Sequence, residues 1–87
     1  MEKEKVFVIS YYYEMYSGAL GDNRFVARDM ETAKKIFEDI KQNIILPLLD
    51  GYDDEDMNEN LDENDTLFKF FNGDDYAEIK IEEKEVL

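Results

Sequence analysis

The chain has 87 residues, no Cys, no His and a formal charge of −13. A chain of that length makes one domain with one modest core, and the missing residue types exclude disulfides, thiolate chemistry, and the commonest general base and transition-metal ligand. An apolar fraction of 44% supports a folded domain despite 38% charged residues.

The opening stretch MEKEKVFVIS mixes acids with lysines and lacks a long apolar run, so it does not read as a secretory leader. Nothing later is long enough to span a bilayer. The expectation is a soluble, cytoplasmic single domain over residues 1–87. Residues 5–16, KVFVISYYYEMY, have strand composition with both faces largely apolar, which suits a central strand. SGALGDN (17–23) reads as a turn, and RFVAR (24–28) as the returning strand with Arg24, Val26 and Arg28 on one face. Asp29 is a good helix N-cap, with Glu31 in the first turn. Ala33, Ile36, Phe37, Ile40 and Ile44 follow at helical spacing, and Pro47 should end or kink the helix near Ile45 or Leu46.

Residues 50–65 form an acidic connecting segment whose conformation the pattern leaves open. TLFKFF (66–71) reads as a strand, and NGDD (72–75) as a hairpin with a type I′ turn. In YAEIKIEEKEV (76–86), Ala77, Ile79 and Ile81 alternate with Glu78, Lys80 and Glu82. The order ββαββ predicts an α+β two-layer sandwich, an antiparallel sheet with one main helix on one face.

The negative charge is unevenly spread. Residues 1–49 carry eight acids and seven bases; residues 50–87 carry fifteen acids and three bases. Such a surface repels nucleic acid and anionic membranes and attracts basic proteins or cations. Solubility is the plain explanation. However, self-repulsion costs stability, so a surplus this large invites a functional one.

Asp54, Asp56, Asn58, Asn60, Asp62 and Asp65 fall at ligand positions of an EF-hand-like loop. But Glu59 stands where the turn needs Gly, and the last ligand is Asp. Weak divalent-cation binding is the most this pattern implies, and no dedicated metal site or cofactor is expected. Gly18-Ala19-Leu20-Gly21 matches the GxxG clamp of KH domains, but between strands and on a protein of the wrong charge, so a hairpin loop needing positive φ is the better reading. Tyr11, Tyr12, Tyr13 and Tyr16 lack the basic surround of a base-stacking sheet; those on a face the helix leaves open would suit a protein interface instead. Carboxylate pairs abound, but nothing selects one for acid–base work, so no enzymatic activity and no catalytic residue is expected.

Carboxylates at i and i+2 on a strand stand roughly 7 Å apart, and at i and i+4 on a helix about 6 Å, close to the spacing of successive phosphates. Fixed on a folded scaffold, they can occupy the basic sites of a DNA- or RNA-binding protein. The expected array is Asp53, Asp54, Glu55, Asp56, Glu59, Asp62, Glu63 and Asp65, together with Asp74, Asp75, Glu78 and Glu82. In size, acidity and lack of Cys and His, the chain resembles small phage-encoded inhibitors of the anti-CRISPR and anti-restriction DNA-mimic type. That resemblance implies a partner with a basic nucleic-acid-binding cleft, such as a CRISPR effector or restriction nuclease, with no direct contact to nucleic acid or membrane. The alternative is a general interaction module or immunity-like protein binding through Tyr11, Tyr13 and Tyr16. An exposed sheet face is also a candidate homodimer interface.

Overall fold

In the computed structural model, residues 4–86 are described, and five strands form one antiparallel sheet in the order β2-β1-β5-β4-β3. They are β1 (Glu4–Glu14), β2 (Leu20–Ala27), β3 (Leu61–Asn64), β4 (Leu67–Phe71) and β5 (Tyr76–Val86). Met1–Lys3 and Leu87 lie outside the described residues, and with them the start of the stretch read above as no leader. One face of the sheet carries α1 (Met30–Ile40), a π-helical turn (Lys41–Ile45), α2 (Leu46–Leu48) and α3 (Asp54–Asn60). The fold is α+β in two layers, as expected, with one strand more than ββαββ because the acidic segment supplies β3. No helix among the described residues is long and apolar enough to cross a membrane.

The long strands β1 and β5 pair along their whole length, from Glu4 opposite Val86 to Glu14 opposite Tyr76. Their inward side chains follow the period of two: Ile9, Ala77 and Ile79 are fully buried and Ile81 nearly so. Phe68 and Phe70 of β4 extend this layer, and Ala33, Phe37, Ile40, Ile45 and Leu49 close it from the helical side. Each large apolar side chain so buried contributes about 1.5–3 kcal/mol. Asp29 caps α1 as its residue type predicts, its carboxylate accepting from the Thr32 N–H at 2.7 Å.

Four local expectations are corrected. The turn after β1 is shorter than 17–23, since the chain is already in β2 at Leu20. Only Gly18 needs a positive φ there (99°); Gly21 is a strand residue. A Cβ on Gly21 would stand 2.6 Å from the Tyr13 ring, so glycine is required by the ring lying over its backbone. The β4–β5 connection is not a type I′ turn, because Asn72 has no positive φ and only Gly73 does. It is a four-residue loop in which the Asn72 side-chain oxygen accepts from the N–H groups of Asp74 (3.0 Å) and Asp75 (2.8 Å).

Pro47 does not stop the helix. It sits inside α2, directly after the π turn, in which the Leu46 N–H reaches back to the Lys41 carbonyl. Proline lacks the N–H and crowds the carbonyl one turn earlier, and a widened turn relieves both problems. The extra residue in that turn moves the apolar stripe by one position. Ile45 is fully buried, whereas the expected stripe residue Ile44 is only partly so.

Candidate functional site

The acidic segment is structured. Asp53 caps α3 by accepting from the Asp56 N–H at 2.8 Å. Tyr52, Met57 and Leu61 pack against the core, and the Tyr52 ring lies 4.9 Å from that of Phe70. This underside fixes the helix and leaves the carboxylates of Asp53, Asp54, Glu55, Asp56 and Glu59 exposed on one ridge. Among the described residues no Lys or Arg lies within ion-pair distance of these five. Their crowding is visible in Asp56, whose carboxyl is held above its usual range first by the Asp53 charge, then by slight desolvation, its hydrogen bond with Asp53, and Glu59 and Glu55. Because residues 54–60 are helical, the EF-hand-like positions do not converge. No group of three or more acidic residues among the described ones could hold a metal ion.

The remaining acids of the expected array are dispersed. Glu63 points to the helical side and accepts from Lys41 at 3.0 Å; Lys41 also lies 3.4 Å from Glu38 and 5.9 Å from the Phe68 ring centre. Burial pulls the Lys41 ammonium down, but the Glu63 hydrogen bond and the charges of Glu63 and Glu38 outweigh it and leave it above the usual lysine range. Asp62 faces the open side, opposite Lys69, and Asp65 lies in the β3–β4 turn. Glu82 is flanked by Lys80 at 3.2 Å and Lys84 at 3.1 Å, whose hydrogen bonds and charges hold its carboxyl below the usual range.

Asp75 is a structural node. Its carboxylate accepts from the Tyr16 N–H at 2.8 Å and from the Tyr52 hydroxyl, and that hydroxyl in turn accepts from the Asn72 amide at 2.8 Å. One carboxylate thus joins the end of β1, the lead into α3 and the β4–β5 loop. Asp74, beside it, is exposed. The structure therefore brings together Asp53, Asp54, Glu55, Asp56 and Glu59. It leaves Glu78 and Glu82 on the opposite, open face of the sheet.

The tyrosines also divide by strand parity. Tyr11 and Tyr13 share the parity of Ile9; they lie on the helical side, half-buried, with parallel rings 6.2 Å apart. The expectation that they present an open face is corrected. Tyr16 follows β1 and is 84% exposed. The open face carries instead Tyr12 and Tyr76, whose rings meet edge to face at 5.7 Å, and Phe71, 5.9 Å from Tyr76. Tyr12 donates to Glu14 at 2.8 Å, and Tyr76 donates to Glu78. The register sets Tyr12 opposite Glu78 and Glu14 opposite Tyr76, a two-by-two checkerboard of phenols and carboxylates. Partial burial and the Glu78 hydrogen bond and charge push the Tyr76 hydroxyl up to about 12. Tyr12 is raised as well, chiefly by its bond to Glu14. The alternation of β5 carries this signal: Tyr76 has the parity of Glu78 and Lys80, the charged side of that strand.

Next to this checkerboard is a shallow depression of ≈ 580 Å³ whose lining includes Ser10, Asp22, Arg24 and Lys80. Among the described residues no polar or charged residue is buried. The chain matches no protein-family model, no curated protein and no solved structure.

Proposed function

We propose that the protein is a non-enzymatic, acidic inhibitor that occupies the basic nucleic-acid-binding cleft of a nuclease or other DNA- or RNA-binding protein, in the manner of anti-CRISPR and anti-restriction nucleic-acid mimics. The observation that carries this reading is the α3 ridge: five carboxylates held by a packed, capped helix with no cation among the described residues to neutralise them. Glu55 and Glu59 are one helical turn apart, a spacing near that of neighbouring phosphates. A fixed array loses little entropy on docking, and its field accelerates association with a basic partner. The exposed apolar corner of Tyr12, Phe71 and Leu20 favours a second reading, an interaction module that docks through the open face.

The test is affinity capture from nuclease-treated bacterial lysate at low and moderate salt. The bait is the full chain or a ridge variant with Asp53, Asp54 and Asp56 changed to Asn and Glu55 and Glu59 to Gln. Asn caps helices as well as Asp, so α3 persists in the variant. The expected result is one nucleic-acid-binding protein retained by the wild type only, weakened by salt and released by added DNA or RNA. Equal capture of that partner by both baits refutes the mimic; loss on Tyr12→Ala with Phe71→Ala then supports the open face.

A further inference from the structure

The two edges of the sheet are built differently. β3 is four residues long and guarded by Asp62 and Glu63, a common defence against edge-to-edge pairing. β2 is eight residues long, contains no Lys or Pro, and leaves Leu20 66% and Val26 63% exposed. Its only charges are Asp22 and Arg24. Residues 15–30 hold two acids, Asp22 and Asp29, and both of the chain's arginines, Arg24 and Arg28, so this region is neutral in a chain of −13. Two copies repel each other least here.

The direction of the free backbone groups is fixed by the hairpin. The Met15 N–H donates to the Ala19 carbonyl at 2.8 Å, which sets the hydrogen-bonded pair nearest the turn. Alternation then turns the N–H and C=O of Gly21, Asn23 and Phe25 toward β1, and those of Leu20, Asp22, Arg24 and Val26 outward. The Arg24 N–H agrees, since it donates to its neighbour's side chain, Asn23 Oδ1, at 2.8 Å.

We infer that two copies of the chain pair antiparallel through the free edges of β2 and continue the sheet across a two-fold axis at Asn23. In that register Asp22 faces Arg24 of the second copy and Arg24 faces its Asp22. Leu20 faces Val26, both of them exposed in the single chain. Each outward-directed pair exchanges two backbone hydrogen bonds, the Arg24 N–H leaving Asn23 Oδ1 to make its own. The alternatives that keep the outward groups matched shift the pairing by two residues. One sets Asp22 against Asp22 and the other Arg24 against Arg24, like charges directly opposite on an antiparallel pair. Charge, apolar contact and backbone direction thus select one register, and it is self-complementary, as a two-fold interface requires.

The experiment is sedimentation equilibrium of the full chain across a wide concentration range, with charge-reversal variants whose fold is checked by circular dichroism. The expected wild-type result is reversible association to twice 10.3 kDa. Asp22→Arg and Arg24→Asp each turn two opposite pairs into two like pairs and raise Kd by about 30-fold or more. An equimolar mixture of the two variants restores a heterodimer, because one then carries two bases where the other carries two acids. Asn23→Cys introduces the chain's only thiol on the two-fold axis, at a pair separation that suits a disulfide, so it cross-links on mild oxidation while Ser17→Cys in the turn does not. A wild type that stays monomeric at every concentration overturns the inference. So does a dimer indifferent to both reversals, or variants that fail to recover on mixing.

Discussion

Neutralising Asp75 should cost the fold far more than neutralising Asp74, although the two are adjacent and of the same residue type. The Asp75 carboxylate accepts a backbone N–H from Tyr16 and the hydroxyl of Tyr52, while Asp74 is exposed. Hydrogen bonds to charged groups contribute roughly 1.5–3 kcal/mol each. In Asp75→Asn the amide oxygen keeps a weaker, neutral bond to Tyr16. The amide nitrogen then confronts a hydroxyl that already receives the Asn72 amide and loses its acceptor. The expected loss is about 2 kcal/mol, which for a domain of this size lowers Tm by about 8–16 °C. Asp74→Asn should shift Tm by no more than about 2–4 °C on the same scale. Thermal melts followed by circular dichroism compare the two. A second signature is optical: the Tyr52 hydroxyl is raised first by its bond to Asp75, so its phenolate absorbance should appear at lower pH in Asp75→Asn. Equal melting of the two variants would refute the nodal role of Asp75. The practical corollary is that charge scans of the ridge must leave Asp75 intact.

Ile45→Ala should cost about 2–4 kcal/mol and Ile44→Ala clearly less, read by urea denaturation; the reverse order would contradict the π turn. Tyr76, raised to about 12 from an unfolded value near 10, contributes stability that is complete below pH 10 and lost as pH rises through about 12. Alkaline titration of phenolate absorbance should find it among the last tyrosines to ionise, and Glu78→Gln should bring it forward. The ridge variant described above should be more stable than the wild type at low ionic strength, with the gap closing toward 1 M salt, because crowded carboxylates repel. Denaturation midpoints at two salt concentrations decide this, and an unchanged gap would remove self-repulsion as its cause.

The parts legible in the sequence were those governed by strong periodicity. The alternation of Ala77, Ile79 and Ile81 gave β5 its bounds and its buried side, and Asp29 marked the start of α1. The parts missed arise from tertiary context. Both faces of β1 are apolar, so parity there could be set only through its partners, Ile9 beside Ile81, and Tyr11 and Tyr13 were placed on the wrong side. Pro47 is legible as an end or a kink near Ile45 or Leu46, but local rules do not say that a π turn absorbs it and the helical run continues to Leu48. β3 pairs Asp62 with Lys69 and Glu63 with Phe68, a strand whose composition argues against one and whose existence depends on β4 beside it. The acidic ridge was legible as charge. Which acids are held together depends on Tyr52 and Met57 packing beneath α3, and Glu63 is drawn away to Lys41.

The central pair of the sheet joins its first strand to its last. During synthesis β1 and β2 emerge early, but β1 keeps an unpaired edge and an uncovered apolar row until β5 leaves the ribosome. The helix can shield part of that row; it cannot supply the missing strand. The acidic segment emerges in this interval, and residues 1–65 carry seventeen acids against seven bases. Incomplete chains on neighbouring ribosomes therefore repel one another while their strand edges are exposed to aggregation. The charge lies ahead of β4 and β5 in the chain, so it is in place while β1 still lacks its second neighbour.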